Sequence, residues 1–209
     1  HSSTPVMLFA LLLGIGVNFL SRDERCKPGI EFASRSILRL GVALLGARIT
    51  LDQIQSLGGG ALVLTVGAVL LTILCGIVLA RSTGLARNFG LLTGGSVAIC
   101  GASAALAIAS VLPRDPDHER DTIMTVVAVT ALSTIAMVLY PVLAGALGFD
   151  PHTTGIFLGA TIHDVAQVVG AGYSVSTAAG DTATIVKLFR VALLLPVVLV
   201  ISFVLQRSG

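Results

Sequence analysis

The sequence predicts an all-α polytopic membrane protein in which two of the membrane segments are interrupted. Three observations carry this. Only 24 of the 209 residues are charged, 13 basic and 11 acidic, or 11%, where about 25% is usual in a soluble domain. Apolar residues make up 55%, glycine adds 23 positions, and the mean hydropathy is +0.96. So much apolar surface cannot be hidden inside one water-soluble domain of this size, which argues against a soluble enzyme, a disordered chain or a nucleic-acid binder. Finally, the apolar residues fall into segments bounded by charge, Pro or Gly, and several approach the roughly 20 residues that cross the hydrocarbon as a helix.

The segments are 5–20, 36–51, 60–80, 88–112, 122–148, 154–172 and 186–205. The first has no Lys or Arg before it, unlike a signal peptide. It follows His1-Ser2-Ser3 with no initiator Met, which reads as an internal start or a cloning remnant. Segment 36–51 is expected to be helical with Arg39 and Arg48 inside it, both snorkelling to an interface. Segments 60–80, 122–148 and 186–205 are long enough to span. No linker separates them, so 1–209 is expected to form a single transmembrane domain. Cys26, Cys75 and Cys100 stand singly, without CxxC spacing or a nearby His, and suggest neither a disulfide framework nor a metal site.

Segments 88–112 and 154–172 are different, being dense in Gly, Ala, Ser and Thr. With an offset of 65 residues, Gly90-Leu91-Leu92-Thr93-Gly94-Gly95-Ser96-Val97 lies over Gly155-Ile156-Phe157-Leu158-Gly159-Ala160-Thr161-Ile162. Interrupted segments at matching positions are the sequence mark of a transporter built from inverted repeats; close helix packing through small residues explains the glycines equally well. Loop charge gives the topology. Lys and Arg occur in 21–29, 81–87 and 113–121 and at Arg207, and are absent from 52–58, 148–153 and 173–186. If every segment simply crossed, loop 113–121 would break the positive-inside rule. If 88–112 and 154–172 each enter and return on one side, every basic loop is cytoplasmic and the two hairpins insert from opposite faces.

An ionisable group at membrane depth costs about 2.5–3.5 kcal/mol on insertion scales, so such residues mark function. His163, Asp164 and Gln167 sit in the second interruption. On a helix His163 and Gln167 would share a face, and His163 beside Asp164 would hold a proton or ion whose occupancy couples to transport. Gly95, Ser96, Gly101 and Ser103 form the matching element; glycine lets backbone approach a ligand, and half-helix N-termini suit an anion. Lys187 and Arg190, three apart at the start of the last segment, fall on the external side, where the positive-inside rule disfavours them. That makes them candidates for binding. Basic groups outnumber the one clear intramembrane acid, Asp164, which points to an anionic substrate. The cluster Arg114, Asp115, Asp117, His118, Glu119, Arg120 and Asp121 reads as a solvated loop. No nucleophile–base set, metal motif or phosphate loop appears, so neither an enzyme nor a cofactor is expected.

Four stretches resemble one family: Arg39–Thr50 (RLGVALLGARIT), Gly94–Ala104 (GGSVAICGASA), Thr161–Gly172 (TIHDVAQVVGAG) and Lys187–Arg190 (KLFR). Together they are similar to the YeiH-like family of bacterial inner-membrane proteins, which carries a sulfate-exporter label. The resemblance implies a fold of the cation/proton antiporter and anion transporter type, with discontinuous helices crossing at the midplane, and a longer protein with further C-terminal helices. It implies export of sulfate or a small sulfonate-type anion from the bacterial inner membrane. In that reading Gly95, Ser96, Gly101, Ser103, Lys187 and Arg190 bind substrate and His163, Asp164 and Gln167 couple an ion. The other readings are a proton- or sodium-coupled cation antiporter built on Asp164 and a non-transporting membrane module. The expected partners are a small inorganic or organosulfur anion and the lipid bilayer, with no nucleic acid; self-association into a homo-oligomer is left open.

Overall fold

A computed structural model describes residues 58–208 continuously, together with the short stretches 13–14, 16–17, 19–20, 23–33 and 40. Segments 5–20 and 36–51, with Arg39 and Arg48, fall almost wholly outside the described residues. The described residues are all-helical, without strands: α1 (Lys27–Phe32), α2 (Gly58–Ser82), α3 (Arg87–Ala98), α4 (Ala102–Ala109), α5 (His118–Ala146), α6 (Pro151–Thr161), α7 (Val165–Val175), α8 (Thr177–Ala192) and α9 (Leu194–Ser208).

Among the described residues three spans are long and apolar enough to cross a bilayer: α2, α5, and α8 with α9 as one run, Thr177–Arg207. The soft junction at Leu193 follows from Pro196, which has no N–H and whose ring crowds the carbonyl four residues back. Large apolar side chains cover the outer faces, among them Leu64, Leu71 and Leu74 on α2, Val127, Ile135 and Val142 on α5, and Leu195, Leu199 and Phe203 on α9. Exposed leucine and phenylalanine at this density suit lipid, not water.

The last span corrects the sequence reading. It begins at Thr177, not near residue 186, with Ser176 Oγ accepting the Ala179 N–H at 3.1 Å as an N-cap. Its first turns, Thr-Ala-Ala-Gly-Asp-Thr, are too polar to register as a span. Lys187 and Arg190 therefore lie within the helix and not at an external edge, and both are buried, so neither snorkels.

The interrupted segments are re-entrant hairpins. In the first, α3 runs antiparallel to α2: Gly90 faces Ala80 and Gly76, and Gly94 faces Gly76 and Ile73. The chain turns at 99–101 and α4 returns along α3, so that a Cβ on Gly95 would strike Ile108, thirteen residues on. Leu92 packs with Ala105, Ile108 and Leu112. Asn88, Phe89, Leu112, Pro113 and His118 line one small cavity, which brings the exit of the hairpin to its entrance. In the second, α6 runs parallel to α8, with Gly155 against Ala179 and Thr182 and Gly159 against Ala183 and Val186. There α7 runs back, with Gly172 against Gly180 and Ala183. The crossing helices implied by the family resemblance are thus replaced by the hairpins that loop charge favoured.

The two hairpins insert from opposite faces. The entrance at Arg87 and Asn88 lies with Val204 and Leu205 of α9, so Arg81, Arg87, Arg114, Arg120 and Arg207 share one face, the cytoplasmic one by the positive-inside rule. Loops 147–150 and 176 lie on the other face. There Asp150 caps α6, accepting the N–H groups of His152 and Thr153. The Thr153 hydroxyl and these amides hold the Asp150 carboxyl below its ordinary range. This cap is therefore in place at and above ordinary carboxylate pKa values, and weakens as pH falls through the lowered one.

Two outcomes test this arrangement. Single cysteines placed at Asp117 and Arg207 should label from the same side of a sealed vesicle, and one at Phe149 from the opposite side; labelling of 149 with 207, and of 117 from the other side, would restore crossing helices. Gly90→Ala, which puts a Cβ 2.6 Å from that of Ala80 and 2.7 Å from the Gly76 carbonyl, should cost about 1–3 kcal/mol. Gly67→Ala, with nothing within 4 Å, should be neutral or stabilising by a few tenths of a kcal/mol to about 1. Thermal unfolding in detergent reads both.

Candidate functional site

The hairpin tips, residues 99–101 and 162–164, meet near the middle of the spans. Val69 of α2 packs on Ile99, Cys100 and Ala104, and Val129 of α5 lies against Gly101. Unwound backbone at this depth is tolerated only when protein satisfies it. At the first tip Gly101, with φ +66° and ψ −121°, turns the chain where a side chain would be strained. A Cβ there would lie 3.4 Å from that of His163, so the two tips touch.

Ending α3 and α6 at this depth leaves carbonyls without intrahelical partners. Two cations from α8 take them. Lys187 Nζ donates to the carbonyls of Ile99 (2.6 Å) and Ile162 (3.0 Å), one from each tip. Arg190 donates through Nε to Ala98 (3.0 Å), through Nη2 to Val97 (3.1 Å) and Ala98, and through Nη1 to Gly159 (3.2 Å) and Ala160 (2.5 Å). Lys187 is 0% exposed and Arg190 4%. Among the described residues neither has a carboxylate within ion-pair distance. Their compensation comes from the negative ends of two helix dipoles, about half a charge each.

The N-terminal ends of the returning arms differ. At α7 the Asp164 carboxylate caps the helix, accepting the N–H groups of Ala166 (2.8 Å) and Gln167 (3.2 Å). The hydroxyl oxygen of Ser133, on α5, accepts those of His163 (3.2 Å) and Asp164 (3.1 Å). Gln167 Nε2 donates to Thr134 Oγ1 at 3.1 Å. At α4 no side chain caps the helix, and among the described residues the N–H groups of Ala102 and Ser103 have no protein acceptor. Among the described residues three buried polar atoms also lack a partner: His163 Nδ1, Gln167 Oε1 and Thr125 Oγ1.

The structure brings Gly101, His163, Asp164, Lys187 and Arg190 to one junction, with Gln167 one turn along α7; Ser103 follows Gly101 on α4, but its side chain is exposed, on the face it shares with Leu106. It places two expected residues elsewhere. Gly95 gives room to Ile108 between the arms of the first hairpin. Ser96 is wholly buried and donates to the Leu92 carbonyl inside α3. The face expected to join His163 to Gln167 does not form, because α7 begins only at Val165. Ser133 and Thr134 were missed: in the apolar run of α5 they look like ordinary small fillers. Among the described residues no cluster of His, Cys, Asp and Glu could hold a metal.

A family model described as Conserved hypothetical protein 698 matches residues 1–209. A UPF0324 membrane protein of Chlorobaculum tepidum is 60% identical over 100% of this chain and 59% of its own length. The UPF0324 membrane protein TauZ of Paracoccus pantotrophus is 58% identical over 100% of this chain and 62% of its own. The chain belongs to the UPF0324 membrane protein family. This is the membership that its four motifs suggested. A UPF0324 relative in Caulobacter vibrioides is 42% identical over 98% of the chain and 44% of its own length. The chain spans about three fifths of the length of the first two relatives. No solved structure matches it.

Removing the Lys187 ammonium strands the Ile99 carbonyl and leaves that of Ile162 only a long bond from Arg190, at 3.5 Å. Lys187→Met keeps most of the volume, so the loss should reflect the unmade bonds, about 1–3 kcal/mol for each stranded group. Thermal unfolding in detergent should fall accordingly; an unchanged midpoint would mean that water replaces the ammonium.

Proposed function

We propose that this UPF0324 chain forms the substrate-handling core of a secondary transporter for a small anion in the bacterial inner membrane. The supporting observation is the charge of the junction where two oppositely inserted hairpins meet. Two C-terminal helix ends and two N-terminal ends converge there, and their partial charges cancel. Asp164 offsets one of the two cations, Lys187 and Arg190. About one positive charge remains, deep in the bilayer, beside uncapped N–H groups at the start of α4. Such a place is costly when empty and attracts an anion.

On this reading the anion approaches Gly101, Ser103 and the α4 amides; the Arg190 guanidinium, engaged by carbonyls, supplies field, and Lys187, which bonds carbonyls through two of its three N–H groups, has a third to offer. His163, with its unpartnered Nδ1, acts with Asp164 and Gln167 in coupling a proton or ion. The chain is a carrier, not a catalyst. Sulfate or a small sulfonate as the substrate, and export as the direction, follow the family label. The residual charge favours this over a cation antiporter, because the Asp164 carboxylate already caps α7.

Thermal unfolding against a panel of anions tests the proposal. A ligand at 100 times its Kd that binds only the native state adds about 2.7 kcal/mol. Sulfate or a sulfonate should stabilise the wild type, and His163→Ala should weaken the effect. Stabilisation by sodium alone, abolished in Asp164→Asn, would replace the anion carrier with the cation antiporter.

A further inference from the structure

We propose that Ser133 is the positioning residue that sets the second hairpin tip; the orientation follows from geometry, and the effect on transport rests on the carrier reading above. Buried Ser and Thr hydroxyls in helices commonly donate to the carbonyl four residues earlier, and Thr122, Thr130 and Thr134 of the same helix do so. Ser133, 1% exposed, turns its oxygen to the neighbouring hairpin and accepts two successive amides, those of His163 and Asp164.

The peptide joining Ile162 to His163 is held at both ends. In a trans peptide the C=O and N–H point in opposite directions. The Ile162 carbonyl accepts from Lys187 of α8, and the His163 N–H donates to Ser133 of α5. This one planar unit is therefore gripped between two crossing helices. Its fixed plane sets the direction in which His163 leaves the backbone, against Gly101 of the opposite tip. The second amide, from Asp164, fixes the start of α7 so that the carboxylate folds over Ala166 and Gln167. Thr134, the next residue of α5, holds Gln167. Val129, one turn before Ser133, meets the first tip at Gly101. A single face of α5 thus touches both tips, the first through apolar Val129 and the second through the Ser133 hydroxyl.

Ser133 also distinguishes the two returning arms. With Asp164 it occupies the amides of residues 163, 164, 166 and 167, which closes the α7 N-terminus to an anion and leaves α4 as the open end.

Hydrogen exchange measured by mass spectrometry on the protein in detergent tests this without knowledge of the substrate. In Ser133→Ala, peptides covering 162–167 should exchange about tenfold faster, with peptides from 64–80 and 137–146 unchanged. Ser133→Cys, close in size with a weaker acceptor, should fall between. Unchanged exchange at 162–167, or a uniform rise over all helices in both variants, would overturn the assignment. In liposomes loaded with sulfate as probe, Ser133→Ala should change the pH profile of flux, because it displaces His163, while Thr130→Ala should not. If wild-type liposomes move no sulfate, the substrate assignment fails and the exchange result still decides the role of Ser133.

Discussion

Backbone that stops being helical inside a bilayer must find hydrogen-bond partners in protein, and here two side chains of one helix supply them for both interruptions. Lys187 bonds one carbonyl from each tip, and Arg190 bonds two from the first hairpin and three from the second. Three features follow from this. The helix carrying them has to reach the junction at mid-depth, so α8 starts nine or more residues earlier than hydropathy suggests. The hairpins have to enter from opposite faces, because one short stretch of α8 serves the C-terminal ends of both. Their first arms have to lie very close to crossing helices, which explains the paired glycines Gly90 and Gly94 against α2, and Gly155 and Gly159 against α8.

The repeat was legible because that packing is written in glycine. Gly90 and Gly155, and Gly94 and Gly159, match at the 65-residue offset and do the same physical work in each half. The packing explanation of these glycines holds in both hairpins, although α3 packs antiparallel on the preceding span and α6 parallel to the following one. The hairpins were legible through loop charge, since Arg114 and Arg120 fit the positive-inside rule only if α4 returns. Hydropathy failed at Thr177–Asp181, where a buried but polar helix start resembles a loop. It also could not assign Ser133, whose role depends on where its hydroxyl turns.

Lys187 and Arg190 were legible as unusual and not as carbonyl partners. A cation in an apolar segment suggests an anionic ligand, yet a helix C-terminus offers it partial negative charge and acceptors in fixed geometry. Both readings use the same positive charge. The carbonyls take the donors of Arg190 and two of the three of Lys187, and neutralise only part of their field.

The two halves are alike in architecture and unlike in chemistry, and the difference lies at the second arms. At α7 a carboxylate and a hydroxyl occupy the first amides. At α4 glycine turns the chain and, among the described residues, the amides of Ala102 and Ser103 have no protein acceptor. Two identical open ends would place twice the positive potential at the junction and give an anion two equivalent resting places. Closing one with Asp164 lowers the net charge to about one and leaves a single preferred end. His163, fixed by Ser133 and Lys187 through one peptide plane, then stands between the closed end and the open one. On the carrier reading this is where a proton would be felt by both the tip that holds His163 and the amides that hold the anion.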